Sequence, residues 1–127
     1  MYNRLLTYLN FNDILVKNQS GFCDKHSTYM ALLQLTDDIS NELDLKNNSI
    51  GIFIDLSNAF DTIDQALLIK KLLYYGIRGI ALDWFVNYLT NRKQYVHKND
   101  IDSEHLIIKC GVPQGSILGP ALSCLYK

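Results

Sequence analysis

A short apolar run that ends in a carboxylate is the feature that most restricts how this chain folds. Residues 50–54 read Ile-Gly-Ile-Phe-Ile, with turn formers before them and Asp55 directly after them. Such a run is typical of a buried central strand. An ionised aspartate at the tip of a buried strand is costly unless a cation or hydrogen bonds compensate its charge. Asp55 is therefore a candidate metal ligand; the alternative is a cap on the turn at Ser57 and Asn58.

Helical periodicity predicts four helices around this strand. The first follows a capping hydroxyl at Ser27 or Thr28 and ends near the polar turn at residues 44–49. The others run from Asp64 to Gly76, from Ala81 to Thr90, and from Leu118 onward, where Pro120 is tolerated only in the first turn. Residues 94–98 and 106–110 look extended, and the polar stretch 99–105 between them predicts a hairpin. The mixture is α+β.

Composition excludes several classes of protein. The chain has 127 residues, 48% of them hydrophobic, and shows no linker, which indicates one domain. Its net charge of -1 creates no general attraction for polyanions, so any nucleic-acid contact is local. The sequence contains no signal peptide or membrane-length apolar run, so we expect an intracellular protein without membrane contact. The widely spaced Cys23, Cys110 and Cys124 include no CxxC pair, which predicts reduced, partly buried thiols.

A second segment, GVPQGSILGP at residues 111–120, is predicted to contain a tight turn. Pro113 fixes one backbone angle and Gly115 removes a side chain, so the backbone can approach a base pair or a sugar closely. Gln114 offers an amide that both donates and accepts hydrogen bonds. The structural alternative, an ordinary turn before a helix, explains the proline and the glycines but not the presence of FIDLSNAFD at residues 53–61 in the same chain.

In these two segments the chain resembles the reverse transcriptases of retrotransposons that lack long terminal repeats (LINE-like elements). The segments QSGFCDKHST, LLIKKLLYYGIRG and WFVNYLTNRKQYV extend the resemblance to nearly the whole chain. It implies that Asp55 binds catalytic Mg²⁺ and that Phe60 lies under the incoming sugar as a steric gate. It also implies that Pro113, Gln114 and Gly115 lie against the template and the nascent base pair. Nucleotidyl transfer of this kind uses two metal ions about 3.5–4 Å apart.

The sequence departs from the family pattern at two places. Cys23 stands where the family usually has an arginine of the nucleotide pocket, and a thiol offers no fork of phosphate donors. Lys25 is a candidate for a partial substitute; the favoured alternative is a solvated surface lysine. The family completes its metal site with an aromatic-x-Asp-Asp segment, whereas no acidic residue follows Glu104 here. The adjacent Asp37 and Asp38 lie upstream on a predicted helix and are expected to be solvated.

The resemblance therefore implies a partial right-hand polymerase fold in one incomplete domain spanning residues 1–127. Residues 1–49 are expected to be fingers-like and residues 50–127 palm-like with an intervening hairpin, while the thumb and the catalytic aromatic-x-Asp-Asp hairpin are missing. The implied activity is RNA-directed DNA synthesis from deoxynucleoside triphosphates on an RNA template and DNA primer. We expect this fragment to be inactive alone because Asp55 is the only ligand for two Mg²⁺ ions.

Two other readings remain open. A remnant of a retrotransposon that binds RNA or protein without catalysis would show salt-dependent RNA binding or a clustered basic patch. An unrelated Mg²⁺-dependent phosphotransferase also places an aspartate at a strand end, but such sites commonly have a second Asp two residues later. That position is Ser57 here.

Overall fold

The computed structural model describes residues 1–16, 18–22 and 26–126 and has the predicted α+β composition. Contacts divide it into two compact units, one formed by Met1–Ile14 and the chain from Asn58 onward, the other by Leu15–Ser57. Within the described ranges, no helix is both long and apolar enough to cross a bilayer. The elements are α1 (Tyr2–Phe11), α2 (Thr28–Asp44), α3 (Gln65–Tyr74), α4 (Ile80–Leu89), β1 (Lys93–Gln94), β2 (His97–Lys98), β3 (Ile101–Asp102), β4 (Leu106–Ile107) and α5 (Leu118–Tyr126).

Helix α3 is the centre of the larger unit and packs against α4 and α5. It begins as predicted at Asp64, whose side chain accepts a hydrogen bond of 2.9 Å from the Leu67 N–H, and the chain leaves it at Gly76 with a φ of 90°. Its inward face meets the inward faces of its neighbours. The fully buried large side chains here include Ile63, Leu68, Leu72, Phe85, Leu89, Leu122 and Leu125.

Helix α1 is absent from the sequence-based prediction. Leu5 and Leu9, one helical turn apart, are both buried and attach α1 to the larger unit. The Tyr8 hydroxyl donates a hydrogen bond of 2.8 Å to the carbonyl of Tyr75, directly after α3. The spacing of the leucines is the sequence feature that indicates this helix. The segment has no side-chain cap at its start, so the sequence does not mark where the helix begins.

The predicted hairpin is confirmed, with an interruption halfway along it. β1 pairs with β4 and β2 pairs with β3, both antiparallel. Between the two ladders, residues 95–96 lie opposite residues 103–105, a bulge that Val96 and Ser103 close with two hydrogen bonds of 2.9 Å. The tip is shorter than predicted: Asn99 and Asp100 have φ of 51° and 59°, as in a type I′ turn.

The smaller unit contains α2, whose predicted start and end are confirmed. The Ser27 hydroxyl caps it by accepting a hydrogen bond of 3.2 Å from the Met30 N–H, and the helix ends at Asp44. Its leucine and isoleucine face is not covered: no residue of α2 is buried.

The predicted buried strand at residues 50–54 is wrong for this structure. These residues form no strand, and Ile50 and Phe53 are 89% and 82% exposed. A strand requires a neighbour to satisfy its backbone groups, and the strands of the described ranges pair only among themselves. The apolar composition therefore indicates a segment that is suited to a sheet, but in this structure no neighbouring strand pairs with it.

Candidate functional site

The loop that follows Ser57 brings the end of the first motif to the second. Asn58 adopts a φ of 56°, a left-handed conformation that asparagine tolerates well, and its carbonyl accepts hydrogen bonds from the N–H groups of Asp61 and Thr62 at 2.9 and 3.1 Å. This tight loop turns the carbonyls of Phe60 and Ile63 toward the segment at residues 111–112.

Three hydrogen bonds join residues 60–65 to residues 111–112, and one of them, between Phe60 and Val112, links the two motifs directly. The Val112 N–H donates to the carbonyl of Phe60 at 2.9 Å, and the Gly111 N–H donates to that of Ile63 at 2.7 Å. The buried side-chain amide of Gln65 donates to the carbonyl of Gly111 at 3.0 Å. Motifs that lie about fifty residues apart in the chain are thus held together through their backbones, with Val112 buried between them.

Gly111 makes this approach possible. It has a φ of 82°, and an added Cβ would lie 2.9 Å from the Asp61 Cα and 3.0 Å from the carbonyl oxygens of Phe60 and Asp61. Real Cβ atoms do not come so close to backbone. Any other residue at this position would separate the two segments or strain them.

The predicted turn forms directly after this junction. The Ser116 N–H donates to the Pro113 carbonyl at 3.2 Å, and Gly115 has a φ of 79°, which together correspond to a type II turn with Gln114 at its tip. The Ser116 hydroxyl donates to the same carbonyl at 2.6 Å and accepts from the Gly119 N–H at 3.0 Å, so it links the turn to α5. Gln114 and Gly115 are exposed and available to a ligand.

A polar cavity of about 270 Å³ lies beside the turn. Asp61, Arg92, Gln94 and Gln114 line it, so a carboxylate, a guanidinium and two amides converge there. Mixed donors and acceptors of this kind suit the polar edge of a nucleotide, with the guanidinium available for phosphate.

Sequence reasoning missed Arg92 and Gln94 as members of this site. The chain has several scattered basic residues, and nothing in the pattern separates Arg92 from the others. The pairing of β1 with β4 supplies the missing information, because it aligns Gln94 with Leu106 and brings the start of the hairpin beside Cys110 and Gln114.

Of the five predicted site residues, four lie in the larger unit. Phe60 and Pro113 are half-buried there, and the structure brings the Phe60 backbone against the segment that precedes Pro113. Asp55 lies in the smaller unit and is exposed. Cys23 and Lys25 lie outside the described residues.

The residues of a metal centre are incomplete. In the described part of the chain, no group of three or more His, Cys, Asp or Glu residues is arranged to hold a metal ion. The donors present therefore do not fit a two-metal site, and Asp55 is at most one ligand of such a site. Cys110 is exposed rather than partly buried as expected, whereas Cys124 is half-buried, as expected.

Comparison with known proteins gives a consistent result. A family model described as reverse transcriptase (RNA-dependent DNA polymerase) matches residues 1–126. Among curated proteins, the chain is 33% identical over 130 residues to a probable RNA-directed DNA polymerase from transposon BS and 32% identical over 130 residues to one from transposon X-element. It is 30% identical over 127 residues to the RNA-directed DNA polymerase from mobile element jockey. All three are from Drosophila melanogaster.

These matches cover 98% of the chain but only 13–14% of the length of the relatives. The chain thus spans about one seventh of the curated proteins that it resembles. No solved structure shows significant similarity to it.

Proposed function

The chain belongs to the reverse transcriptase family, and we propose that it forms the part of a retrotransposon RNA-directed DNA polymerase that receives the templating base pair. The observation that carries this proposal is the hydrogen bond of 2.9 Å from the Val112 N–H to the Phe60 carbonyl. It joins the two motifs on which the family resemblance depends. In this proposal residues 1–49 are fingers-like and residues 50–127 palm-like.

The Pro-Gln-Gly turn is proposed to lie against the template and the nascent base pair. Its tip is exposed and carries an amide, and its glycine leaves open space: nothing lies within 4 Å of a Cβ built at Gly115. A base pair or sugar can therefore approach the backbone at this point. Arg92, on the wall of the adjoining cavity, is positioned to contact a phosphate of the same nucleic acid.

Phe60 is proposed to discriminate deoxynucleotides from ribonucleotides. Its backbone is fixed by the junction with Val112, and its side chain is only half-buried, so part of the ring remains available beneath a bound sugar. With the backbone held at this position, the Phe60 ring would collide with the 2′-hydroxyl of a bound ribonucleotide. A smaller side chain would admit ribonucleotides.

Asp55 is proposed to be one Mg²⁺ ligand of the complete family domain. One carboxylate cannot hold two metal ions, so we expect the 127-residue chain alone to incorporate no deoxynucleotide in a primer-extension assay with Mg²⁺.

A chimeric polymerase tests these roles together. The region of the jockey polymerase that aligns with this chain is replaced by the chain, and primer extension on an RNA template is measured with Mg²⁺. We expect deoxynucleotide incorporation, reduced at least about 100-fold by Asp55→Asn because a metal ion contributes several kcal/mol to transition-state stabilisation. Phe60→Val should raise incorporation of ribonucleotides relative to deoxynucleotides.

The matched control is Asp38→Asn, which removes an exposed carboxylate from α2 in the same unit as Asp55. It should leave incorporation unchanged. Thermal unfolding of each chimera establishes that it is folded. Equal incorporation by the chimera and its Asp55→Asn variant, or a folded chimera with no incorporation, would refute the proposal.

A further inference from the structure

Another cavity of the larger unit lies away from the Pro-Gln-Gly turn. Its volume is about 510 Å³, and α1, α4 and the turn between α3 and α4 form its walls. None of its lining residues also lines the polar cavity beside Gln114. The family-based function proposed above makes no use of it.

The walls combine apolar surface with two positive charges. Leu5, Ile80 and Trp84 contribute apolar surface, and Arg4 and Arg78 contribute the guanidinium groups. Among the described residues, neither arginine has an ion-pair partner, and no acidic residue lines the cavity. The cavity is therefore complementary to a ligand with a planar apolar body and an anionic group.

Trp84 supplies a stacking surface. Its indole lies parallel to the ring of Tyr88, with an interplanar angle of 11° and centroids 5.2 Å apart, and Phe85 contacts it edge-on. These neighbours fix the orientation of the indole, yet 38% of the residue remains exposed. A fixed and exposed indole beside arginine is the combination on which proteins stack the bases of single-stranded nucleic acids.

We propose that this cavity binds a nucleotide of single-stranded RNA, with the base on Trp84 and the flanking phosphates on Arg4 and Arg78. Arginine favours this ligand because its planar fork matches a phosphate in two hydrogen bonds. A peptide added as a strand would need a free sheet edge, and only helices and a turn form these walls. Duplex RNA hides its bases and is excluded from the stacking contact.

The chain provides its own reporter for this site because Trp84 is its only tryptophan. The full chain is titrated with a short single-stranded oligouridylate while indole emission is recorded. We expect saturable quenching that becomes about sevenfold weaker between about 50 and about 200 mM salt, the slope for two neutralised phosphates on a single strand. Duplex RNA and polyglutamate should leave the emission unchanged.

Variants separate the two parts of the site. Arg4→Gln combined with Arg78→Gln should weaken binding about tenfold or more and remove most of the salt dependence; both side chains are exposed, so the fold is retained. Trp84→Ala, followed by the anisotropy of a labelled oligouridylate, should weaken binding about 5- to 100-fold. Lys98→Gln, an exposed charge on β2, is the control and should bind like the parent chain.

Three results would overturn the proposal. They are absence of quenching by oligouridylate, quenching by polyglutamate at equal concentration, or equal loss of affinity in the Lys98→Gln control. The last two would indicate attraction by charge alone rather than recognition of a nucleotide.

Discussion

Replacing Gly111 by alanine should destabilise the protein more than any other single added methyl group near the candidate site. The substitution changes two things at once. It places a side chain on a residue with a φ of 82°, and it drives a Cβ to 2.9 Å from the Asp61 Cα. Both effects act on the junction that holds the two family motifs together.

The expected magnitude is the sum of two contributions. A non-glycine residue in the left-handed region costs about 1–2 kcal/mol. Overpacking against immovable backbone typically costs about 1–3 kcal/mol more. The total of about 2–5 kcal/mol is a large part of the roughly 5–15 kcal/mol that stabilises a domain.

Gly115 provides a matched control. Its φ of 79° is nearly the same, but nothing lies within 4 Å of an added Cβ. Gly115→Ala therefore carries the conformational cost alone, about 1–2 kcal/mol. Effects of alanine on the unfolded chain are common to both variants and cancel in the comparison.

The assay is urea unfolding of the parent chain and both variants, followed by the helical circular dichroism signal. Gly111→Ala should be less stable than Gly115→Ala by about 1–3 kcal/mol, the contribution from overpacking. Equal stability of the two variants within about 0.5 kcal/mol would show that the close approach of Gly111 to Asp61 does not exist in solution.

Two further substitutions test the same unit. Gln65→Leu should lower the free energy of unfolding in urea by about 1–3 kcal/mol, because it leaves the Gly111 carbonyl without its hydrogen bond of 3.0 Å. The control Gln94→Leu, at an exposed position, should change the free energy of unfolding by no more than about 0.5 kcal/mol. Equal losses of stability in the two variants would contradict this role for Gln65. Asp100→Gly should raise the thermal midpoint by a few degrees, since Asn99 and Asp100 both have positive φ and glycine adopts it without strain; a lower midpoint would argue against the type I′ turn.

Helices α2 to α5 and the hairpin could be predicted from local sequence because local interactions determine them, whereas α1 was not predicted. Asp64 and Ser27 cap their helices as expected, and Gly76 follows α3 with a positive φ. Pro120 lies in the first turn of α5, where its missing N–H costs nothing. These features need no knowledge of the rest of the fold.

The strand at residues 50–54 could not be predicted in the same way. Its apolar composition shows that the segment is compatible with a buried sheet. Strand formation also requires a neighbouring strand to pair with, and the sequence pattern does not reveal whether one is present. The same distinction applies to α2: the helix forms as predicted, and its apolar face remains exposed.

The part of the candidate site that comes from one contiguous motif could be predicted from the sequence. The part that comes from residues distant in the sequence, which only the fold brings together, could not. Pro113, Gln114 and Gly115 form the expected turn. Arg92 joins them only because the register of the hairpin brings it back to the turn. The metal-binding role of Asp55 stays a prediction, for which the chimera is the test.

The exposed apolar segment at residues 50–56 bears on the tendency of the chain to aggregate. Short stretches rich in isoleucine and phenylalanine, without proline, are the units from which cross-β fibrils nucleate. Here such a stretch is exposed in the folded chain, so we expect that association between copies would not require unfolding first. Asp55 carries the only charge between Ser49 and Ser57 and acts as a gatekeeper against that association. Neutralising this carboxylate removes a proposed metal ligand and an electrostatic barrier to fibril formation in the same step.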